Sequence, residues 1–406
     1  MEQAFCDHEP VTSGEVSDPP ELHRTRLAVA AAFATQGGVF ISLTTRLPDF
    51  QDKYDLSNGE LSGLLLMMVL LAGGGSVLAE TRAKALSSAR LLRTGLVGLT
   101  VGAALIGASQ SLSFFIAAMA TYGLSLGMVD ATTNMQAVAL EHRYGRPILP
   151  SFHSAWTFGG LIGAALALAT SHLDVGWVGL VAVVPLAVQF APFLAGIGDP
   201  AQESPAPVIP WRPIILVGIG MVLFYMVDTA AFTWGPLFLK NVFDDTPSGL
   251  FALAVFPYLL SSGAMRFAGD GLVARYGAVP ILRIGAVVAS ASLAVVVFAP
   301  AWPIAVLGFL VLGSGVGVIA PLSFSAAARI AGGEEEDPAT RQRRVDAVIG
   351  RFNQFNYVGA LIGSVLTGAV GEHDLRVGFA VPMVLILGIL PLARAFAPGE
   401  VSLGKT

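Results

Sequence analysis

The chain alternates between long apolar stretches and short charged segments. A helix that spans a bilayer needs ~20 apolar residues to cross ~30 Å of hydrocarbon. Ten stretches approach or exceed this length without a charged side chain, apart from one that contains Asp228. These stretches are 27–45, 61–79, 94–129, 147–173, 175–198, 213–239, 246–265, 284–328, 352–371 and 377–393.

Two of these stretches are long enough for two helices each. The stretch 94–129 has a polar break at Ser109-Gln110-Ser111, and 284–328 has a proline-containing break at 299–303. We therefore predict an all-α membrane protein with twelve transmembrane helices. The runs exclude an outer-membrane barrel, whose strands alternate and cross the membrane in ~10 residues.

The composition excludes several classes of soluble protein. Charged residues make up 13% of the chain and hydrophobic residues 54%, whereas soluble domains carry about 25% charged residues. This composition argues against a soluble enzyme and a disordered protein. The net charge of −5 offers no basic surface for nucleic acid.

The first 23 residues contain six acidic side chains and no lysine or arginine. A cleavable signal peptide needs a basic segment before an apolar core, so we expect residues 1–23 to form a disordered cytoplasmic tail. Alternating loop assignment then places 19 of the 23 basic residues, Arg266 among them, on the inner side. This positive-inside bias predicts a multi-pass protein of the bacterial inner membrane with both termini in the cytoplasm.

A proline-rich polar segment divides the predicted helices into two groups of six. We expect a cytoplasmic linker at 199–212 between helical bundles at 24–198 and 213–397, with a cytoplasmic tail at 398–406. Both halves have a proline after an early span and a glycine-rich fourth span. Weak internal symmetry of this kind is typical of secondary transporters.

The loops after the second and eighth spans carry a recognisable pattern. Gly269-Asp270 is followed by Arg275-Tyr276-Gly277, and a weaker copy consists of Gly75, Glu80, Arg82 and Lys84. The chain thereby resembles the Major Facilitator Superfamily, whose members have two pseudo-symmetric six-helix bundles around a central cavity. The resemblance covers the whole membrane region and implies a transporter that works by alternating access.

A further stretch of the sequence resembles one particular branch of this superfamily. The segment 127–136, followed by Glu141, 145–147 and His153, resembles the fucose–proton symporter branch and its uncharacterised bacterial relatives, as does 46–48. In fucose symporters an acidic residue of the fourth span handles the proton, and Asp130 has the matching position. Thr44 stands where those symporters have a second acidic residue.

Asp130 is also singled out by its position in an apolar span. Gly123, Gly127, Asp130, Asn134 and Glu141 share one helix face by their spacing. A charge within a span costs at least ~2.5–3.5 kcal/mol on insertion scales, and such residues are functional by default. We interpret Asp130 as the proton-coupling residue; the alternative is a buried carboxyl that only holds helices together.

Other polar residues in spans are candidates for solute contact. Tyr225, Asp228 and Phe232 form a stripe on the seventh span, whose Trp234 is expected at the membrane interface. Asp228 could bind solute, take up a proton or be structural. The remaining candidates for solute binding are Asn134, Gln36, Arg46, Asn353 and Asn356. For Asn353 and Asn356, on the eleventh span, the alternative role is hydrogen bonding between helices. For Arg46, the alternative is that its side chain extends to the membrane interface.

Charged residues near the predicted cytoplasmic ends of helices are candidates for a gate. These candidates are Glu141, Arg146, His153, Asp270, Arg275, Glu80 and Arg82. A cluster of Glu141, Arg146 and His153 could change its pairing between conformations, or could simply fix the helix ends. The other four are gate contacts by the family resemblance and ordinary charged helix ends otherwise.

Several chemistries have no motif in the sequence. There is no phosphate-binding loop for ATP hydrolysis, no nucleophile elbow and no metal-ligand spacing among the histidines. We expect no enzyme activity, no cofactor and no metal. We expect instead a monomer in the lipid bilayer that moves a small polar solute, such as a sugar, by proton-coupled symport. Proton-antiport efflux of a drug or metabolite is the alternative, and a non-transporting polytopic sensor is a further one.

Overall fold

A computed structural model describes most of the chain. The described residues are 20–83, 85–144, 148–194, 209–333, 341, 344, 345, 348, 352 and 354–397. All regular secondary structure in these ranges is helical. Helices are expected in lipid because each one satisfies its own backbone hydrogen bonds.

The first five apolar stretches form six helical segments, because 94–129 contains two of them. A short helix, α2 (Leu47–Tyr54), follows the first of them and begins at a proline-containing turn. The six segments are α1 (Pro20–Thr44), α3 (Asn58–Arg82), α4 (Ser88–Ala108), α5 (Leu112–Tyr144), α6 (Leu149–Ala169), and a 3-10 helix (Val175–Ala182) continued by α7 (Val183–Val188).

Six more segments follow in the second half, several of them assembled from consecutive pieces. They are α8 (Trp211–Val242); a 3-10 helix (Ser248–Ala254) with α9 (Phe256–Tyr276); α10 (Ala278–Val297); α11 (Trp302–Val316) with α12 (Ile319–Gly332); α13 (Gln354–Val370); and α14 (Leu375–Leu385) with α15 (Ile389–Leu392) and short 3-10 turns. The predicted breaks at 109–111 and 299–303 separate α4 from α5 and α10 from α11. Within the described residues, ten helices are long and apolar enough to cross a membrane.

The helix pairings of the first half recur in the second. Helix α1 packs on α6 as α8 packs on α13, and α3 packs on α5 as α9 packs on α11. The contacts between halves repeat as well, because α3 meets α13 and α6 meets α9. The predicted linker lies mostly outside the described residues, and α8 already begins at Trp211. The exact bundle boundaries therefore stay a prediction.

Glycines bring the helix backbones of each pair into direct contact. A Cβ atom on Gly127 of α5 would lie 1.7 Å from the carbonyl oxygen of Ala72 on α3, and one on Gly75 would lie 2.0 Å from that of Leu124. Only the absence of a side chain allows this approach, as in other small-residue helix contacts in membranes. The contact fixes the rotation of α5 and thereby the direction of Asp130, one turn further on.

The side chain of Trp234 packs between helices and does not face the lipid, unlike a residue of an interfacial aromatic belt. Its side chain is fully buried, and its indole N–H donates to the carbonyl oxygen of Ser364 on α13 at 2.7 Å. A tryptophan N–H buried among helices needs such an acceptor. Trp234 therefore stabilises the packing of α8 on α13, with Gly368 making room for its ring.

We predict that Gly127→Ala destabilises the protein strongly, because the new methyl group clashes with a backbone carbonyl that cannot move alone. Overpacking of this kind costs ~1–3 kcal/mol or more. Thermal unfolding of the purified protein in detergent measures the change. Gly74→Ala is the matched control, because a Cβ atom there meets nothing within 4 Å. Equal melting temperatures for the two variants would contradict the proposed close contact.

Candidate transport site

A cavity of about 520 Å³ lies between the two halves. Its wall includes residues of α1, α3, α5 and α6 from the first half and of α8, α9, α12 and α13 from the second. Most of the wall is apolar, with a small number of polar groups. The charged or titratable ones among the described lining residues are Asp130, His153, Tyr225, Asp228, Arg266 and Tyr357.

Asp130 accepts hydrogen bonds from both halves of the protein. The side-chain amide of Gln36 on α1 donates to its Oδ1 at 3.0 Å, and the hydroxyl of Tyr357 on α13 donates to its Oδ2. Tyr357 also contacts Ser76 of α3. The carboxyl thus joins α1 and α5 to a helix of the second half, on the wall of the cavity.

Asp228 forms a second hydrogen-bonded carboxyl site on the cavity wall, separate from that of Asp130. Its Oδ1 accepts a hydrogen bond of 2.5 Å from the hydroxyl of Tyr258 on α9, and the side chain is 6% exposed. The predicted stripe of Tyr225, Asp228 and Phe232 lies along this wall of the cavity. The carboxyl of Asp228 is held by a neighbouring helix of its own half, whereas that of Asp130 spans the two halves.

Arg266 lines the cavity, although the sequence assigns it to the loop charges of the inner side. It lies in the middle of α9, and its guanidinium donates to the hydroxyl of Thr157 on α6 across the two halves. Its Nε–H is buried, and no described residue accepts a hydrogen bond from it. Its charge interacts with Asp228 and His153. No sequence signal identifies this position, because a charge that ends an apolar run, here 246–265, predicts a loop.

Phe40, Trp156 and Phe232 of the cavity wall belong to an aromatic cluster that Tyr258 extends. The ring centroids of Phe40 and Trp156 are 6.4 Å apart, those of Trp156 and Phe232 are 5.9 Å apart, and those of Phe232 and Tyr258 are 5.5 Å apart. These rings come from α1, α6, α8 and α9, so the cluster spans both halves. It offers flat apolar surfaces to a solute next to the polar groups.

The predicted solute-binding residues separate into two groups in the structure. Gln36, Asp228 and Asn356 line the cavity. Asn134 does not line the cavity. Its amide donates to the backbone oxygen of Asp130, one turn earlier on α5, at 2.9 Å. Asn353 lies outside the described residues.

Arg46 is not a lining residue of the cavity either. Its guanidinium donates to the carbonyl oxygens of Thr170 and Leu173 at 2.9 Å each and pairs with Asp49 at 2.7 Å. Burial raises the pKa of Asp49, and the charges of Arg46 and Lys240 oppose that rise. The geometry fits a structural anchor that holds the loop after α6 against α2, in place of the predicted solute contact.

The predicted gate residues are dispersed. Glu141 accepts hydrogen bonds from the backbone N–H groups of Ile148 and Leu149 at 2.7 Å, and so caps the beginning of α6. His153 lies between two rings, Phe33 of α1 and Phe324 of α12, at centroid distances of 5.5 and 5.9 Å. Among the predicted gate residues whose side chains the structure describes, His153 is the one that lines the cavity and contacts both halves.

The other predicted gate residues occupy helix ends or are not described. Glu80 and Arg82 are exposed at the end of α3, where Glu80 accepts a hydrogen bond of 3.5 Å from Ser76. Arg275 is exposed and lies 5.3 Å from the ring centroid of Tyr276. Arg146 and the side chain of Asp270 lie outside the described residues. Within the described part of the chain, no group of three His, Cys, Asp or Glu side chains could hold a metal ion.

One end of the cavity is closed by polar contacts between the halves. Lys240 at the end of α8 donates to Asp52 at 2.5 Å and to the carbonyl oxygen of Pro48 at 2.8 Å. Asn58 at the beginning of α3 donates to the carbonyl oxygens of Gly371 and Glu372 at 3.3 and 3.2 Å. The positive-inside pattern predicts this end to be the outer one.

The cavity extends toward the opposite end of the molecule. Its wall there includes Leu149 and Ser151 at the beginning of α6, together with Phe267 and Ser325 of the second half. A central cavity closed at one end between two similar helical bundles is the arrangement of an alternating-access transporter. The fold and the site thus define a multi-pass membrane protein of the transporter class.

Comparison with known proteins supports the same class. No family model matches the chain. An uncharacterised transporter of Sinorhizobium fredii is 26% identical over 307 residues, covering 74% of this chain and 81% of that protein. The membrane protein MosC of Rhizobium meliloti is 25% identical over 394 residues, covering 94% and 91%. An uncharacterised MFS-type transporter of Yersinia pestis is 25% identical, covering 68% and 71%.

Solved structures share the fold at low sequence identity. The nucleoside transporter NupG has a TM-score of 0.64 at 13% identity, covering 93% of this chain and 98% of its own. The Major Facilitator Superfamily transporter FucP, in the outward conformation, has a TM-score of 0.62 at 16% identity, covering 93% and 100%. An inward-facing bacterial homologue of Spinster has a TM-score of 0.63 at 14% identity, covering 94% and 97%.

The chain therefore has the fold of the Major Facilitator Superfamily, as the sequence resemblance predicts. The relatives from Sinorhizobium fredii and Yersinia pestis and the three solved structures are named as transporters and not as enzymes. Together with the cavity, these similarities support a secondary transporter with this fold that is embedded in a membrane as a multi-pass protein.

We predict that Lys240→Met favours opening of the closed end, because it removes the charged contact between α8 and α2. Hydrogen bonds to charged groups contribute ~1.5–3 kcal/mol, and solvent at Asp52 reduces that value. A Phe40→Cys probe in a Cys6→Ser background should therefore react severalfold faster with a membrane-impermeant thiol reagent applied from the predicted outer side. Lys53→Met is the control, because Lys53 bonds only within the first half, to the carbonyl oxygen of Ser109. Equal rates in both variants would contradict this role for Lys240.

Proposed function

We propose that the protein is a proton-coupled symporter of a small polar solute, with Asp130 as the proton site and the central cavity as the solute site. The observation that carries the proposal is the position of Asp130. It lies on the cavity wall, and its carboxyl accepts hydrogen bonds from Gln36 of the first half and Tyr357 of the second.

Protonation of Asp130 would change the connection between the halves. An ionised carboxylate only accepts hydrogen bonds, whereas a protonated carboxyl carries an O–H donor on one oxygen. The ionised form therefore suits the two donors that face it. The neutral form weakens at least one of these bonds, and the bond to Tyr357 is the one that crosses between α5 and α13. Proton uptake thus alters the balance between conformations of the two bundles.

The cavity has the features expected of a site for a polar solute with an apolar face. Sites of this kind combine apolar and aromatic walls with a few placed polar groups. The rings of Trp156 and Phe232 supply the flat surfaces, and Asp228, Arg266 and Asn356 supply hydrogen-bonding groups on the second-half wall. A hydroxylated ring such as a sugar would stack on the former and bond to the latter.

Proton-antiport efflux of an amphipathic drug or metabolite is the second candidate. The observation that favours it is the number of aromatic residues on the cavity wall, which include Phe33, Phe40, Phe224, Phe267 and Phe324. Direction of solute movement on an imposed proton gradient separates the two candidates.

The proposal places the protein in the bacterial inner membrane with both termini in the cytoplasm. In that orientation the closed end faces outward, and the cavity opens to the cytoplasm. The bundles 24–198 and 213–397 would rock about the cavity, and the monomer would suffice because both halves of the site belong to one chain.

We predict that Asp130→Asn abolishes gradient-driven accumulation while leaving the fold intact, because the amide keeps the shape of the carboxyl but cannot take up a proton. Proteoliposomes with an imposed pH gradient, acidic outside, are tested with radiolabelled monosaccharides and nucleosides. Accumulation on the inward gradient supports symport, and expulsion supports antiport.

Asp55→Asn is the control for this experiment. Asp55 is an exposed carboxyl with φ of 52° after α2, a conformation that asparagine also adopts readily. Gradient-driven transport that persists undiminished in Asp130→Asn, at the level of wild type and Asp55→Asn, would refute Asp130 as the proton site.

A further inference from the structure

Among the described residues that line the cavity, Arg266 is the one with a positively charged side chain. The question is which group balances this charge inside the protein. An arginine within a span is costly on insertion scales, by ~2.5–3.5 kcal/mol. Such a residue is expected to pair with an acidic group or to bind an anionic ligand. The described contacts of Arg266 include a hydroxyl but no directly paired acidic group.

No described carboxylate forms an ion pair with Arg266. Its guanidinium donates to a neutral hydroxyl, that of Thr157, and its buried Nε–H has no hydrogen-bond partner among the described residues. Asp228 interacts with it through charge, but the hydrogen bond to Asp228 comes from Tyr258. A planar guanidinium with unused donors is suited to bind a carboxylate through two parallel hydrogen bonds.

We propose that Arg266 binds a carboxylate group of the transported solute, so that the substrates are small hydroxylated acids. The assignment rests on the proposed function, because it takes Asp130 as the proton site and the cavity as the solute site. It deepens that function by naming the class of solute.

The charges of the cavity explain why a proton would travel with such a solute. With Asp130 and Asp228 counted as ionised, Arg266 as protonated and His153 as neutral, the described groups of the empty cavity carry a net formal charge of −1. Binding an acid anion alone would make it −2, and a proton on Asp130 restores it to −1. The empty and the fully loaded carrier therefore carry the same charge, whereas the anion without a proton adds an uncompensated charge to a medium of low dielectric constant.

The assignment is tested by binding of matched pairs of compounds to the purified full-length protein, measured by calorimetry. The pairs are D-glucuronate with D-glucose, D-galacturonate with D-galactose, and lactate with lactamide. Wild type should bind at least one acid at least tenfold more tightly than its neutral partner. Arg266→Gln should lose that preference, and Arg266→Lys should restore part of it.

Arg90→Gln is the matched control, because Arg90 is exposed at the beginning of α4 and should leave binding unchanged. The assignment is overturned when no acid binds wild type more tightly than its neutral partner, or when Arg266→Gln keeps the preference. Loss of the fold in Arg266→Gln is checked by its thermal unfolding, and Arg266→Lys then provides the comparison.

Transport separates this assignment from the proposed function. The acid that binds should accumulate on a pH gradient without net charge movement, so a membrane potential set with valinomycin and potassium should leave its uptake unchanged. Asp130→Asn should bind the acid yet fail to accumulate it. Accumulation by Asp130→Asn would refute the proton site and leave the carboxylate site standing, whereas uptake driven by the potential would refute the charge balance.

Discussion

A carboxylate in the middle of an apolar bundle is stable only where hydrogen-bond donors surround it, and this constraint organises the centre of the protein. Asp130 obtains its donors from Gln36 of α1 and Tyr357 of α13. Since these helices belong to different halves, the requirement for donors couples the two bundles at one side chain. A change in the charge of that side chain changes the need for the donors, and this is the physical basis for linking proton uptake to movement.

The backbone contacts around Asp130 make the arrangement specific. Gly75 and Gly127 let α3 and α5 touch through their backbones, so α5 cannot rotate without separating from α3. The second half repeats this solution, with Gly313 of α11 against the carbonyl oxygen of Tyr258 on α9. Rigid helix pairs within each half, and a few polar bonds between halves, suit bundles that move as units. The contacts of Lys240 with Asp52 and of Arg266 with Thr157 are polar bonds between the halves.

Much of the fold follows from the sequence because lipid imposes simple rules. The length of the apolar runs defines the spans, and the breaks at 109–111 and 299–303 divide the long ones where the structure divides them. The special position of Asp130 also follows from the sequence, since an acid within a span is conspicuous. Helical spacing predicts the shared face of Gly127 and Asp130, because that geometry is local.

Contacts between distant helices could not be predicted in the same way. Arg46 is bonded to carbonyl oxygens after α6, and Trp234 is bonded to α13, because tertiary packing offers them partners that no local pattern reveals. The prediction for Arg266 was wrong in the opposite sense, because this residue was assigned to a loop and lines the cavity. A charge that ends an apolar run predicts a loop, but a helix can continue through it where a cavity supplies a polar surrounding. Tyr357 gives no signal at all, because a single tyrosine in an apolar span is ordinary.

If Asp130 takes up a proton while it joins the two halves, infrared difference spectroscopy should detect the protonated carboxyl. Spectra of the purified protein are recorded at acidic and alkaline pH, and the C=O stretch of protonated carboxyl groups is compared between variants. Wild type should show a carboxyl band that shifts in Tyr357→Phe, where one hydrogen-bond donor is lost, and that is missing in Asp130→Asn. Identical difference spectra for wild type and Asp130→Asn would rule out Asp130 as the group that takes up the proton.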